Sequence, residues 1–119
     1  MAYMNQKRKA ERAPKIKAIL QKYGQKGTLS VRNHSTLVLR LKDVQGMFES
    51  FYLNNYDREY GLDVNPYHFE SFYSQNPTAV QMLKELTQAM YGNDYYDNTD
   101  IMTDYFDTSH YISINVVPA

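Results

Sequence analysis

Five aspartates, Asp94, Asp97, Asp100, Asp104 and Asp107, stand in the stretch DYYDNTDIMTDYFD, which contains no base. Tyr95, Tyr96, Tyr105 and Phe106 are interleaved with them. A row of carboxylates beside aromatic rings suits a basic groove on a partner protein. The charge speeds encounter, and the rings supply contact area at modest entropy cost. The expected partner-binding residues are therefore Asp94, Tyr95, Tyr96, Asp97, Asp100, Asp104, Tyr105 and Asp107. The same types also build turns, and Asp97-Asn98-Thr99-Asp100 is good turn chemistry. Calcium fits poorly, because an EF-hand loop needs a mid-loop glycine and a glutamate at its twelfth position. Neither falls at that spacing here.

A second cluster is basic. Lys7, Arg8, Lys9, Arg12, Lys15, Lys17 and Lys22 crowd one short stretch. Cations in that density neutralise phosphates and give salt-dependent nucleic-acid binding. Lys7, Arg8, Lys9, Arg12 and Lys15 are the residues for that alternative. The competing reading is a solvated helix face that pairs with the chain's own aspartates. His34, His68 and His110 are spaced unlike helical metal ligands, and no HExxH occurs, so no metal or other cofactor is expected. No GxSxG, phosphate-cradling glycine loop or dinucleotide fingerprint is present, and no enzyme activity is expected.

These residues need elements to position them. Asn5 is a candidate N-cap and Gly24 a candidate helix stop. Ile16, Ile19, Leu20 and Tyr23 share one helical face, extended by Ala10 and Ala13. Pro14 means either a kink or a helix that starts there. In TLSVRNHSTLVLRLK, alternating Leu29 and Val31, then Leu37, Leu39 and Leu41, flank the turn Asn33-His34-Ser35 and predict a β-hairpin over 28–42. Residues 43–60 carry no clear signal. Leu62 and Val64 suggest a third strand that Asn65-Pro66 ends or forces to an edge. Asn76-Pro77 opens a second amphipathic helix bearing Val80, Leu83, Leu86 and Met90, and Gly92 stops it. Ile112, Ile114 and Val116 alternate as a last strand, with Tyr105-Phe106 as its hairpin partner.

The expected fold is α+β, in the order α-β-β-β-α-β-β. An antiparallel sheet of about five strands would carry both amphipathic helices on one face. The 119 residues suffice for one domain spanning 1–119. There is no cysteine, which excludes disulfides and thiolate metal sites. The longest aliphatic run, Leu37-Val38-Leu39, is far short of a membrane span, and no signal peptide is evident, so a cytoplasmic protein is expected. Charge is divided. Residues 1–42 hold eleven bases against one acid, and residues 43–119 hold twelve acids against two bases. That asymmetry suits a charged partner or head-to-tail homo-oligomers, unless the charges interleave on folding.

KIKAILQKYG, SVRNHSTLVL, LDVNPYHF and TDYFDTSHYISINV together resemble small phage and plasmid accessory proteins carrying a large polyvalent protein-associated domain of mobile elements. The resemblance spans most of residues 10–117, and SVRNHSTLVL is its most specific part. It implies a host bacterial cytoplasm and a counter-defence role of the anti-CRISPR or anti-restriction type. The partner would be a host protein or nucleoprotein that the chain binds and inhibits. It implies no catalytic residues.

Overall fold

A computed structural model describes residues 2–97 and 108–119. Helix α1 runs from Gln6 to Lys22, and Asn5 caps it by accepting the Arg8 N–H. Pro14 lies inside this helix and does not start it. Its buried face consists of Arg12, Ile16, Ile19 and Leu20. Ala10 is exposed, so the apolar stripe is shorter than its spacing suggested, and an arginine takes the inward position.

Strands β1 (Lys26–Arg32) and β2 (Thr36–Asp43) form the expected hairpin, with Leu29 opposite Leu39. Asn33 and His34 both have positive φ, and Ser35 N–H donates to Arg32 O at 3.2 Å. Two left-handed central residues match the right-handed twist of the strands. After β2 the Asp43 carboxylate accepts Gln25 Nε2 and the N–H groups of Met47 and Phe48. It thereby organises residues 43–48, a turn no periodicity signals. A short 3-10 turn (Glu49–Phe51), helix α2 (Asn55–Tyr60), strand β3 (Leu62–Val64) and helix α3 (Phe69–Phe72) follow. Helix α4 (Pro77–Tyr91) is capped by Asn76 as expected, and strand β4 covers Tyr111–Pro118.

The α+β class stands, but the sheet differs from the expectation. Four strands are described, in the order β1-β2-β4-β3, and β4 runs parallel to β2 and antiparallel to β3. Tyr105-Phe106, the expected hairpin partner, lies outside the described residues. The alternation in β4 buries Ile114 and Val116 beside Leu39 and Leu41. Alternation encodes which face a side chain takes, not the direction of the neighbouring strand. Leu37, Leu39 and Leu41 join Ile16, Ile19 and Leu20 of α1 and Met82, Leu83 and Leu86 of α4 in one buried cluster. Both long helices therefore cover the same sheet face. On the opposite face Arg40 and Lys42 are exposed, and Val38, Ser113, Asn115 and Val117 are half-buried. Among the described residues no helix is long and apolar enough to cross a membrane.

Candidate nucleic-acid interface

Part of the basic cluster and part of the acidic one meet inside this molecule. Asp94 makes ion pairs with Arg12 and with Arg8, the latter at 3.2 Å. The Arg12 guanidinium is buried, and it donates to Met90 O at 3.1 Å and Tyr91 O at 3.0 Å. Those carbonyls end α4, where no intrahelical donor reaches them and helix polarity favours a cation. Gly92 makes room for this cap, since a Cβ there would lie 2.6 Å from Arg12 Nη2. Arg8 donates to Tyr3 O and to Ser109 Oγ, and its Nη2 lies 3.4 Å from His110 Nδ1. Burial raises the Asp94 carboxyl pKa, but the charges of Arg12 and Arg8 outweigh it and hold the group below the usual carboxylate range.

Arg8 and Arg12 are thus committed to packing and are not available as phosphate contacts. Asp94 is neutralised within the fold. Tyr95 stands edge-on to His110 at 5.5 Å, and Thr108 Oγ1 lies 3.3 Å from its hydroxyl. Tyr96 is exposed, while its carbonyl accepts Ser109 N–H at 2.8 Å. Asp97 bridges to Thr108. Asp100, Asp104, Tyr105 and Asp107 lie outside the described residues.

His110 is fully buried, with Nε2 donating to Met90 O at 2.9 Å and Ser109 Oγ 2.9 Å from Nδ1. Both ring nitrogens are occupied. Burial, then the nearby arginine charges, hold its pKa below the ordinary histidine value against the Met90 hydrogen bond, which favours the charged form. His34 serves the hairpin turn, and His68 precedes α3 on the surface. No metal-binding group of three such side chains occurs among the described residues.

The positive charge that remains free lies mostly elsewhere. Lys7 and Lys15 of α1 are exposed, but the convergent cations are Lys17, Lys26, Arg40 and Lys42. They line a cleft of about 560 Å³ where the exposed sheet face meets the β1 edge and α1. Lys26 and Lys42 are directly cross-strand, and Arg40 faces Thr28 one step along. Like charges directly opposite each other destabilise a strand pair unless an anion screens them. An adjoining groove of about 300 Å³ shares Lys17, Leu20, Gly27 and Thr28 and adds Lys9 over Ile16, Leu29 and Leu39. Gly27 permits this, since a Cβ there would lie 3.1 Å from Arg40 O and 3.2 Å from Leu20 Cδ1. No carboxylate lines either cavity, and none of these five cations forms an ion pair among the described residues.

Of the five cations nominated from sequence, only Lys9 reaches this track. The signal for Arg40 and Lys42 was present: they alternate with the buried Leu39 and Leu41 in a predicted strand. Counting charges along a helix hid it. The chain matches no known family model, no curated protein and no solved structure.

Proposed function

We propose that this chain is a non-enzymatic module that binds the phosphate backbone of nucleic acid along the β1 edge. One observation carries the reading: Lys17, Lys26, Arg40 and Lys42 converge on a cleft that no carboxylate lines among the described residues. A cation row without an ion pair among the described residues leaves its charge for an external anion. The adjoining groove, with Lys9 above an apolar floor, extends the track beyond a single phosphate. Such a mix of cations and apolar surface suits a single strand, whose bases are not stacked away in a duplex.

The reading as an inhibitor that docks on a host protein through the acidic segment has less support. Asp94 is engaged by Arg8 and Arg12, and Tyr95 packs on His110. A mobile-element role remains compatible with nucleic-acid binding, because a host nucleoprotein offers the same backbone.

Fluorescence anisotropy with a labelled oligonucleotide, single-stranded and duplex, tests the proposal. Five phosphate contacts give a log–log salt slope of about −3.5 for single strands and about −4.5 for duplex. Arg40→Gln with Lys42→Gln should cut the single-strand slope by about 1.4 and weaken binding at low salt. Lys7→Gln with Lys15→Gln should change it far less. Absence of binding at low salt, or a slope that follows Lys7 and Lys15 instead, refutes the assignment.

A further inference from the structure

A third cavity sits at the other end of β4. It is small, about 170 Å³, and lies between Pro66-Tyr67, the last turn of α4 and the entry to β4. Tyr67, Tyr91, Tyr95 and Tyr111 contribute four aromatic rings to its lining, and Asp97 contributes a carboxylate. Tyr91 and Tyr95 pack with ring centroids 4.3 Å apart, and His110 lies 6.2 Å and 5.5 Å from them. Among the described residues no lysine or arginine lines the cavity. Arg12 donates to Tyr91 O and Arg8 Nη2 lies 3.4 Å from His110 Nδ1, but neither arginine lines the cavity and both pair with Asp94.

The electrostatics favour a cation. Aromatic faces carry negative quadrupole density, and four tyrosines contribute to the lining of one small volume. Burial, then the nearby Tyr67 and Tyr95 and last the negative charge of Asp97, keep the Tyr91 hydroxyl protonated to unusually high pH. Where His110 lines the wall, burial and the nearby arginine charges favour the uncharged ring, holding its pKa below the ordinary histidine value against the Met90 hydrogen bond. The chemistry also selects among cations. A bare ammonium needs several acceptors to replace its hydration, and a guanidinium needs a carboxylate fork. One carboxylate and four rings suit a cation whose surface is mostly carbon. The volume lies well below that of a drug-sized pocket, so the ligand is a group of a few heavy atoms.

We propose that this cavity binds an alkylated ammonium group, held by cation–π contact with Tyr67, Tyr91, Tyr95 and Tyr111 and by the Asp97 carboxylate. The source is either the head of a methylated lysine side chain or a small free quaternary amine. The site stands apart from the nucleic-acid track, since none of the five cations of that track lines it.

Calorimetric titration of the intact chain tests this with three probes: choline, a short peptide carrying trimethyllysine, and 3,3-dimethylbutanol as the uncharged isostere of choline. Choline should bind saturably, and the isostere at least about 5-fold more weakly, because only the cation gains from the rings. Tyr67 and Tyr111 are 76% and 51% exposed, so Tyr67→Ala and Tyr111→Ala should leave the fold intact, as a thermal melt confirms. Each should weaken cation binding about 2- to 5-fold. Tighter binding of the peptide assigns the group to a protein side chain. Equal binding assigns it to a free amine. No saturable binding, equal binding of the isostere, or an affinity unmoved in the Tyr67→Ala, Tyr111→Ala double variant overturns the proposal. The isostere comparison uses the unmodified protein and so holds even if a variant unfolds.

Discussion

Arg12 should behave as a structural residue, in contrast to the phosphate contact its sequence neighbourhood suggests. Its side chain is 6% exposed, and its guanidinium donates to Met90 O, Tyr91 O and Arg8 O besides pairing with Asp94. Arg12→Ala strips the side-chain donor from Tyr91 O, leaves Met90 O to His110 Nε2 alone, and opens a void against Gly92. Leaving buried polar groups unpaired costs about 1–3 kcal/mol each, and breaking a buried ion pair about 3–5 kcal/mol. These overlap, because the same guanidinium supplies both, and Asp94 is 55% exposed, so water replaces much of its lost pairing. The net expectation is about 3–4 kcal/mol. At this chain length each kcal/mol moves the melting temperature by about 3–5 °C, so the drop should be about 10–20 °C. Arg12→Lys keeps the charge but loses the planar fork, and should fall between variant and parent. Asp94→Asn leaves the buried Arg12 guanidinium without its counter-charge but with its carbonyl acceptors, and should cost about 1–3 kcal/mol, less than Arg12→Ala. Thermal and urea melts measure all three. Oligonucleotide binding by Arg12→Ala, assayed in the cold where it is folded, should match the parent. A melting shift below about 3 °C together with lost binding would refute the reasoning and return Arg12 to the interface.

Two further outcomes follow from the same geometry. His110 is buried with its folded-state pKa held down, so the unfolded chain takes up its proton first as pH falls. Stability from this group is present above about pH 6.5 and is lost as pH drops toward the depressed folded value. Urea midpoints from pH 7.5 to 5 should fall in the parent and flatten in His110→Gln, and equal slopes would show that another group titrates. His34 holds positive φ in the hairpin turn, where glycine is unstrained. His34→Gly should therefore raise stability by about 1 kcal/mol in a urea melt, and a loss would mean the imidazole makes contacts that outweigh the strain.

Several elements were legible because their causes are local. Asn5 and Asn76 cap their helices, and the Leu29–Leu41 alternation folds as a hairpin about Asn33-His34. Capping, helical periodicity and turn chemistry act over a few residues, so a short window contains the whole interaction. The Asp43 turn was not legible, because its carboxylate is fixed by Gln25, which only the folded hairpin brings near, and its bonds to the Met47 and Phe48 amides form in a turn without periodic signature.

The division of charge was set by sequence alone, since composition does not depend on folding. What that charge can do was decided only in the tertiary structure. Arg8 and Arg12 sit 86 and 82 residues from Asp94 yet form one cluster with it, which withdraws all three from any outside partner. Arg40 and Lys42 look ordinary in sequence, but strand pairing sets Lys42 against Lys26, and α1 adds Lys17. Electrostatic interaction depends on distance in space, and order along the chain constrains that distance only within a turn or a helix. The parallel placement of β4 beside β2 belongs to the same class, because side-chain alternation specifies the buried face and leaves strand direction to the packing of α4 and the chain's route back to the sheet.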